Sequence, residues 1–212
     1  MDIRSSEMVW GKMLISIIIP VVRPEKAKRC IEAIEANSGI DRSLYEIITE
    51  EDTERIGAPK MIKKMTDACT GDMVCFLGDD TIPHPGFLKY AIEAMATLPD
   101  GWGMVGLDDN VRLGGQVKAA AHWLCDRRLL PLLGGEFFHT GYRHCWCDNE
   151  LCLRAAELGR YIFCKKAYIY HDHVIVDIKN DDPDYRRVYS HDWIAHDVVL
   201  FKQRRRNNWV TP

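Results

Sequence analysis

The chain contains the segment Met73-Val74-Cys75-Phe76-Leu77-Gly78-Asp79-Asp80-Thr81, from which its fold class can be predicted. Its first five residues are apolar without alternation, which is typical of a strand that is buried on both faces of a parallel sheet. Two aspartates follow almost at once. The stretch therefore predicts a buried strand with a pair of carboxylates at its carboxyl end.

The same pattern of a strand followed by a helix recurs before and after this segment. A buried strand at 14–19 ends at Pro20, and Pro24 opens a helix after it. Further strands are predicted at 45–49 and 103–107, with helices of 3,4 apolar spacing in between. Three strand-helix alternations predict an α/β fold with a mostly parallel sheet flanked by helices. Ligands of such sheets bind at the carboxyl ends of the strands, where the aspartates lie.

The second half of the chain is less regular. Residues 108–147 are rich in Gly, His, Trp and Arg, which predicts loops that shape a pocket. A helix is predicted at 150–158, short strands at 161–164 and 167–170, and a last helix at 192–205. We therefore expect a loop-rich half with a C-terminal helix.

Composition limits the function classes. Hydrophobic residues make up 47% of 212 residues, enough for one core, and the net charge of -3 disfavours avid binding to a nucleic-acid backbone. The longest apolar run, from Met13 to Val22, is too short for a transmembrane helix. The basic run Arg204-Arg205-Arg206 is predicted to be the solvated end of a helix, where cations interact favourably with the helix dipole. The alternative is that these arginines cover a bound phosphate.

Cysteine usage predicts a compartment. The eight cysteines mostly lie in apolar segments, which indicates buried reduced thiols and a cytoplasmic protein. A zinc site between His139 and Cys164 is disfavoured because paired Cys-x-x-Cys spacing is absent. The chain also lacks the glycine motifs of dinucleotide-binding and P-loop enzymes.

Three polar segments are candidates for chemistry. The pair Asp79-Asp80 predicts either a divalent-cation site or a turn. The segment His171-Asp172-His173 combines imidazole and carboxylate ligands, a set that suits Mn²⁺ better than Mg²⁺. Asp148 opens a helix, so it is either an ordinary cap or a general base kept ionised by the helix dipole.

These segments, in this order, resemble family-2 glycosyltransferases of the GT-A fold. The resemblance lies in Ile17-Ile18-Ile19-Pro20 with Arg23-Pro24, in the strand and acidic segment at 70–83, in the acidic helix start at 146–154, and in Tyr168-Ile169-Tyr170-His171. It implies one domain over 1–212, with a nucleotide-sugar-binding half at about 14–107 and an acceptor-binding half with a C-terminal helix at about 108–212.

The resemblance also implies roles for single residues. Asp80 and His171 would hold Mn²⁺ or Mg²⁺, with His173 as a substitute ligand. Asp148 would be the catalytic base, and Glu150 would orient the acceptor or replace the base. Arg154 would be a structural partner of these carboxylates. The implied contacts to the donor are Pro20, Glu51, Asp52, Lys63 and Asp79.

The implied activity is the metal-dependent transfer of a sugar from a nucleotide-diphosphate donor to an acceptor hydroxyl, with inversion at the anomeric carbon. Uridine is the favoured nucleoside of the donor. The acceptor stays open: a saccharide, a protein, a small molecule or a modified nucleic-acid base. Position in the pattern suggests acceptor contacts at His122, Trp123 and the segment 134–139. The alternatives are a catalytically silent sugar-nucleotide or carbohydrate binding protein, which Gly78 favours because many relatives have an aspartate there, and a zinc-stabilised interaction module.

Overall fold

Seven strands form one sheet in the computed structural model, which describes residues 13–111 and 118–210. Their order in the sheet is β2-β1-β3-β6-β5-β7-β4. The strands are β1 Ile15–Val21, β2 Tyr45–Glu51, β3 Met73–Phe76, β4 Thr81–Pro83, β5 Met104–Asp108, β6 Trp123–Asp126 and β7 Tyr161–His171.

Five of the seven strands run in the same direction. Strand β1 pairs in parallel with β2 and β3, and β5 pairs in parallel with β7. Strand β6 is antiparallel to both β3 and β5, so β5 has the direction of β3. Strand β4 is antiparallel to β7. The predicted mostly parallel α/β sheet is confirmed, and the carboxyl ends of β1, β3, β5 and β7 gather on one side of it.

Helices cover the sheet. They are α1 Pro24–Asn37, α2 Ala58–Ala68, α3 Phe87–Met95, α4 Leu129–Leu132, α5 Cys147–Glu157, α6 Pro183–Val188 and α7 His191–Arg206. The first three were predicted from their apolar spacing, and α1 buries Ala27, Cys30 and Ile34 on its inner face. Among the described residues, no helix is long and apolar enough to cross a membrane.

Strand β1 is buried on both faces, as its unbroken apolar sequence predicts. Ile15, Ile17 and Ile19 belong to one hydrophobic cluster, and Ile18 belongs to the cluster on the other face. Each of these side chains stabilises the fold by about 1.5–3 kcal/mol relative to an exposed one. A strand so firmly packed is a rigid support for the turn that follows it.

Several predicted bounds need correction. Strand β6 was missed, because its four residues lie in a segment predicted to be loop. The two short strands predicted at 161–164 and 167–170 are one strand, β7, whose register against β5 shifts between Leu107 and Asp108. Helix α5 begins at Cys147, so Asp148 lies inside its first turn.

The C-terminal helix is attached to the fold by buried charges. Arg204 is only 2% exposed and donates to both carboxylate oxygens of Glu150, at 2.8 and 2.7 Å. The prediction of a solvated basic run was therefore wrong for Arg204, whereas Arg205 and Arg206 are exposed. Asp197, fully buried in α7, accepts from the backbone N–H groups of residues 143–145, which lead into α5.

Candidate active site

A cavity of about 490 Å³ opens at the carboxyl ends of the strands, a volume typical of small-ligand sites. It is the place where the fold gathers most of the residues predicted from sequence. The predicted site residues that line it are Pro20, Asp52, Asp79, Asp80, Asp148, His171 and His173.

Asp79 holds the turn that follows β1. Its Oδ2 accepts from the backbone N–H groups of Val22 and Arg23, at 2.7 and 2.6 Å. Its Oδ1 accepts from the Arg23 guanidinium at 3.0 Å. Burial raises the pKa of Asp79, and the neighbouring charge of Asp80 adds to that rise. Since both oxygens already have partners, Asp79 shapes the cavity wall between β1 and β3.

Asp80 projects into the cavity and meets groups from three directions. Its Oδ1 lies 3.3 Å from Nε2 of His171, Tyr185 of α6 donates to its Oδ2, and the Arg23 guanidinium is 3.6 Å away. Burial alone would raise the pKa of Asp80. The hydrogen bond with His171 and the charges of His171 and Arg23 outweigh burial and hold the pKa well below its usual range. Asp80 is therefore a buried carboxylate that stays ionised.

Asp109, directly after β5, contacts two imidazoles. Its Oδ2 lies 3.3 Å from Nδ1 of His122 and 3.4 Å from Nδ1 of His171. All three side chains are buried, and among the described residues they form the group of His, Cys, Asp and Glu side chains whose ligand atoms are close enough to share a metal ion. Burial by itself lowers the pKa of His171, but hydrogen bonds with Asp109 and Asp80 raise it to about 9. A positive charge is thus favoured at this point.

His173 uses both of its ring nitrogens within the protein. Its Nδ1 accepts from the backbone N–H of Ile175 at 3.0 Å, and its Nε2 lies 2.8 Å from the Tyr189 hydroxyl. Burial, together with the charge of His171, lowers the pKa of His173 to about 4. A neutral ring with Nδ1 as acceptor carries its proton on Nε2 and has no lone pair left for a cation.

Asp148 lies in the first turn of α5, half-buried in the cavity wall. Its Oδ1 accepts from the backbone N–H of Asn149 at 2.9 Å. Removal from water raises the pKa of Asp148 to about 6, although backbone hydrogen bonds act in the opposite direction. A carboxylate with this pKa is ionised at neutral pH and basic enough to accept a proton.

Glu150 is turned away from the cavity. It is 2% exposed, pairs with Arg204, accepts from the Tyr142 hydroxyl at 2.8 Å and lies 3.2 Å from Arg154. The expectation that Glu150 orients the acceptor or replaces the base is therefore corrected: its oxygens hold α7 and the 142 loop against α5. The expectation that Arg154 is a structural partner agrees with this ion pair.

The predicted donor contacts divide into two groups. Pro20 and Asp52 line the cavity, and Asp52 accepts from the backbone N–H groups of Ile56 and Gly57, at 2.8 and 2.9 Å, so it also shapes the loop before α2. Glu51 is exposed at the end of β2, and Lys63 pairs with Asp67 along α2. Neither of these two is among the described residues that line the cavity.

The suggested acceptor contacts are corrected in part. Trp123 is fully buried in β6 and packs against Phe76 and Phe137, so its face is closed to a sugar ring. Of the segment 134–139, Phe138 lines the cavity, and His122 lines it beside Asp109. All eight cysteines are free thiols, and the described residues from 139 to 164 form no group with metal-ligand spacing. The zinc-module alternative therefore has no site in this region.

Comparison with known proteins gives a result at the level of structure. No protein-family model and no curated protein match the chain. A mannosyltransferase from Pyrobaculum calidifontis, solved with GDP-Man and Mn²⁺, superposes with a TM-score of 0.61 at 16% identity over 76% of this chain and 57% of its own. Glucosyl-3-phosphoglycerate synthase from Mycobacterium tuberculosis was solved with Mn²⁺, UDP-glucose and phosphoglyceric acid. It superposes with a TM-score of 0.59 at 17% identity over 92% of this chain and 82% of its own.

The chain has a GT-A-like fold. A third structure of this kind, residues 1–349 of S. aureus TarS in complex with UDP, superposes at 0.58 with 15% identity over 74% of this chain and 60% of its own. This chain thus spans little more than half of the mannosyltransferase and of this TarS fragment.

Sequence reasoning missed two residues that the GT-A-like fold brings to the site, Asp109 and Tyr185, and it suggested His122 only as an acceptor contact. Asp109 arrives through β5, His122 through the unpredicted β6, and Tyr185 through α6, which folds back over Asp80. Only the pair Asp108-Asp109 after a predicted strand was visible as a signal, by the same logic that selected Asp79-Asp80. His122 and Tyr185 have no such motif around them.

Proposed function

We propose that this chain is a metal-dependent glycosyltransferase that moves a sugar from a nucleotide diphosphate to an acceptor hydroxyl. One observation carries the proposal: a single cavity on a GT-A-like fold presents both a buried, ionised carboxylate-imidazole pair, Asp80 with His171, and a separate carboxylate, Asp148, whose pKa is raised to about 6. The first is suited to a cation and the second to a general base.

The donor set fits a divalent cation such as Mn²⁺ or Mg²⁺. Asp80 and Asp109 are buried carboxylates that are ionised. Without a cation, His171 and Arg23 stabilise the charge of Asp80, and His122 and His171 stabilise that of Asp109. When bound at Asp80 and His171, the cation would neutralise the charge of the departing diphosphate. Pro20 and Asp52 are proposed to flank the nucleotide base, with uridine as the first choice and guanosine as the second.

In the proposed mechanism Asp148 accepts the proton of the acceptor hydroxyl while that oxygen attacks the anomeric carbon. A single displacement of this kind inverts the configuration of that carbon. Arg23, fixed by Asp79 and Asp182, presents a partly buried positive charge beside Asp80 on the donor side of the cavity. The protein otherwise contributes rigid positioning of the two substrates.

The test compares ligand-induced thermal stabilisation of the wild-type chain with that of Asp80→Asn. Mn²⁺ with a panel of UDP- and GDP-sugars is expected to raise the melting temperature for one donor, because a ligand that binds only the folded state stabilises it. Asp80→Asn should lose the shift, whereas Asp67→Asn, an exposed aspartate on α2, should keep it. The absence of a shift with every donor at millimolar concentration would rule out the donor site.

A silent sugar-nucleotide binding protein is separated by turnover. Gly78 favours this alternative because one carboxylate of the usual triplet is missing. It predicts stabilisation by the donor without release of nucleotide diphosphate in any acceptor screen. An active enzyme releases the diphosphate, and Asp148→Asn should bind the donor with wild-type affinity without releasing it.

The free thiols support a cytoplasmic location. All eight cysteines are unpaired, and six of them are buried, which is typical of proteins kept in a reducing compartment. We include this location in the proposal, and it is tested by fractionating the source cells and probing for the chain in the soluble cytoplasmic extract.

A further inference from the structure

We propose that His122 is a ligand of the cation through its Nε2 atom, together with Asp80 and His171, and that Asp109 orients both imidazoles. The inference rests on the proposed function, because it names further residues of the same site. It also explains how a chain with glycine at position 78 retains a complete cation site.

Two polar side chains limit the space beside Gly78. A Cβ atom placed on Gly78 would lie 2.8 Å from Oδ1 of Asp80 and 3.1 Å from Nε2 of His122. Both atoms therefore approach the point from which a side chain at position 78 would start. The place that a carboxylate at position 78 would fill is taken by the His122 imidazole, so one polar ligand stands in for another.

Asp109 orients the imidazole rings of both His122 and His171. Oδ2 of Asp109 contacts Nδ1 of both His122 and His171. An ionised carboxylate only accepts hydrogen bonds, so it favours the tautomer of each ring that carries the proton on Nδ1. This leaves a lone pair on each Nε2, and Nε2 of His171 already lies 3.3 Å from Oδ1 of Asp80. A carboxylate behind a metal-bound histidine is a common way of fixing its tautomer and orientation.

The His122 ring is also fixed in its position. His122 is only 3% exposed and lines the cavity. Its ring is held firmly, stacked on Phe76 with centroids 5.7 Å apart and edge-on to His171 at 4.7 Å. A ring held in this way is already oriented beside Asp80, so little conformational freedom would be lost when it binds a cation.

The chemistry of this set predicts which cations bind. Two imidazole nitrogens with a carboxylate suit Mn²⁺, Fe²⁺ or Co²⁺, whereas Mg²⁺ prefers oxygen ligands alone. We therefore expect Mn²⁺ to bind at least about tenfold more tightly than Mg²⁺ to the chain without any donor.

The deciding experiment is pulsed electron paramagnetic resonance of the full chain loaded with Mn²⁺ alone. The nuclear modulation from ¹⁴N atoms bound directly to Mn²⁺ reports how many histidine nitrogens are ligands. We expect two in the wild-type protein and one in His122→Gln. His173→Gln is the matched control, because His173 is a nearby buried histidine whose two nitrogens are both engaged, and it should keep two. The wild-type spectrum alone is decisive if His122→Gln fails to fold.

Affinity gives a second readout. Isothermal titration with Mn²⁺ should show a dissociation constant raised about 10–100-fold in Asp109→Asn, as is usual when the carboxylate behind a metal-bound histidine is altered. A single bound nitrogen in the wild type, or loss of one in His173→Gln, would overturn the role of His122 and leave the proposed function standing. No Mn²⁺ binding with or without UDP would instead remove the metal site of the proposed function.

Discussion

At the scale of single residues, Asp148 carries an energetic cost. Its carboxylate is removed from water and its pKa is raised from 3.8 to about 6. Each pKa unit corresponds to about 1.4 kcal/mol, so the ionised side chain destabilises the fold by up to about 3 kcal/mol at neutral pH. Such a cost is typical of a group retained for its chemistry.

We therefore predict that Asp148→Asn stabilises the fold while it abolishes turnover. The gain should approach about 2–3 kcal/mol at pH 7, where the carboxylate is ionised in both the folded and the unfolded chain. It should disappear below pH 4, where the carboxyl is protonated in both states. Urea unfolding of wild type and variant at the two pH values measures both, and an equal difference at pH 7 and pH 3.5 would contradict this account.

The same pKa predicts the acid limb of the activity profile. Because the base acts only when it is deprotonated, kcat/KM should fall about tenfold per pH unit below about pH 6 and level off above it. Initial rates between pH 4.5 and 8 at saturating Mn²⁺ measure this limb. A profile that stays flat down to pH 4.5 would exclude Asp148 as the base.

Gly78 gives a third prediction at this scale. Gly78→Asp adds a carboxylate at position 78, but its Cβ atom would lie 2.8 Å from Oδ1 of Asp80 and 3.1 Å from Nε2 of His122. We expect Mn²⁺ binding at least about tenfold weaker and a lower melting temperature, since overpacking typically costs about 1–3 kcal/mol. Titration with Mn²⁺ decides the matter, and tighter binding by the variant would show that the space beside residue 78 is open.

At the scale of elements, α7 and α5 are joined by a buried ion pair. Removing one partner of such a pair typically costs about 3–5 kcal/mol, because the other charge is left unpaired. We predict a loss of this size in Arg204→Met and partial recovery when Glu150→Gln is added. Arg205→Met is the matched control on the exposed side of α7 and should change the free energy of unfolding by less than about 0.5 kcal/mol.

The helices and strands also differ in how well they can be predicted from the sequence. Helices α1, α2 and α3 and strands β1 and β3 follow from local apolar periodicity and from Pro and Gly at their ends. Strand β6 does not, because its four residues become a strand only by pairing between β3 and β5, which are distant in sequence. Asp80, Asp148 and His171 follow predicted elements and were found. Asp109 follows a predicted strand but was missed, and His122 was suggested only as an acceptor contact, because its position beside Asp109 depends on the unpredicted β6.

At the scale of the whole molecule, the order of the strands predicts where the fold opens last. Strands β1, β3, β6, β5 and β7 have a neighbour on each side, whereas β2 and β4 are the edges of the sheet. We expect the slowest amide hydrogen exchange in the five inner strands and faster exchange in β2, because opening of an edge breaks fewer buried contacts. Exchange followed by mass spectrometry tests this, and equal protection of β1 and β2 would contradict it.

The contact between Gly78 and His122 also limits how such a chain changes over generations. A carboxylate at position 78 collides with the imidazole, and a small residue at position 122 leaves the site one ligand short. We expect each exchange made alone to weaken cation binding, whereas the two made together would replace one ligand by another. We therefore expect them to covary among homologues, with glycine beside histidine or aspartate beside a smaller side chain, and mixed pairs to be rare.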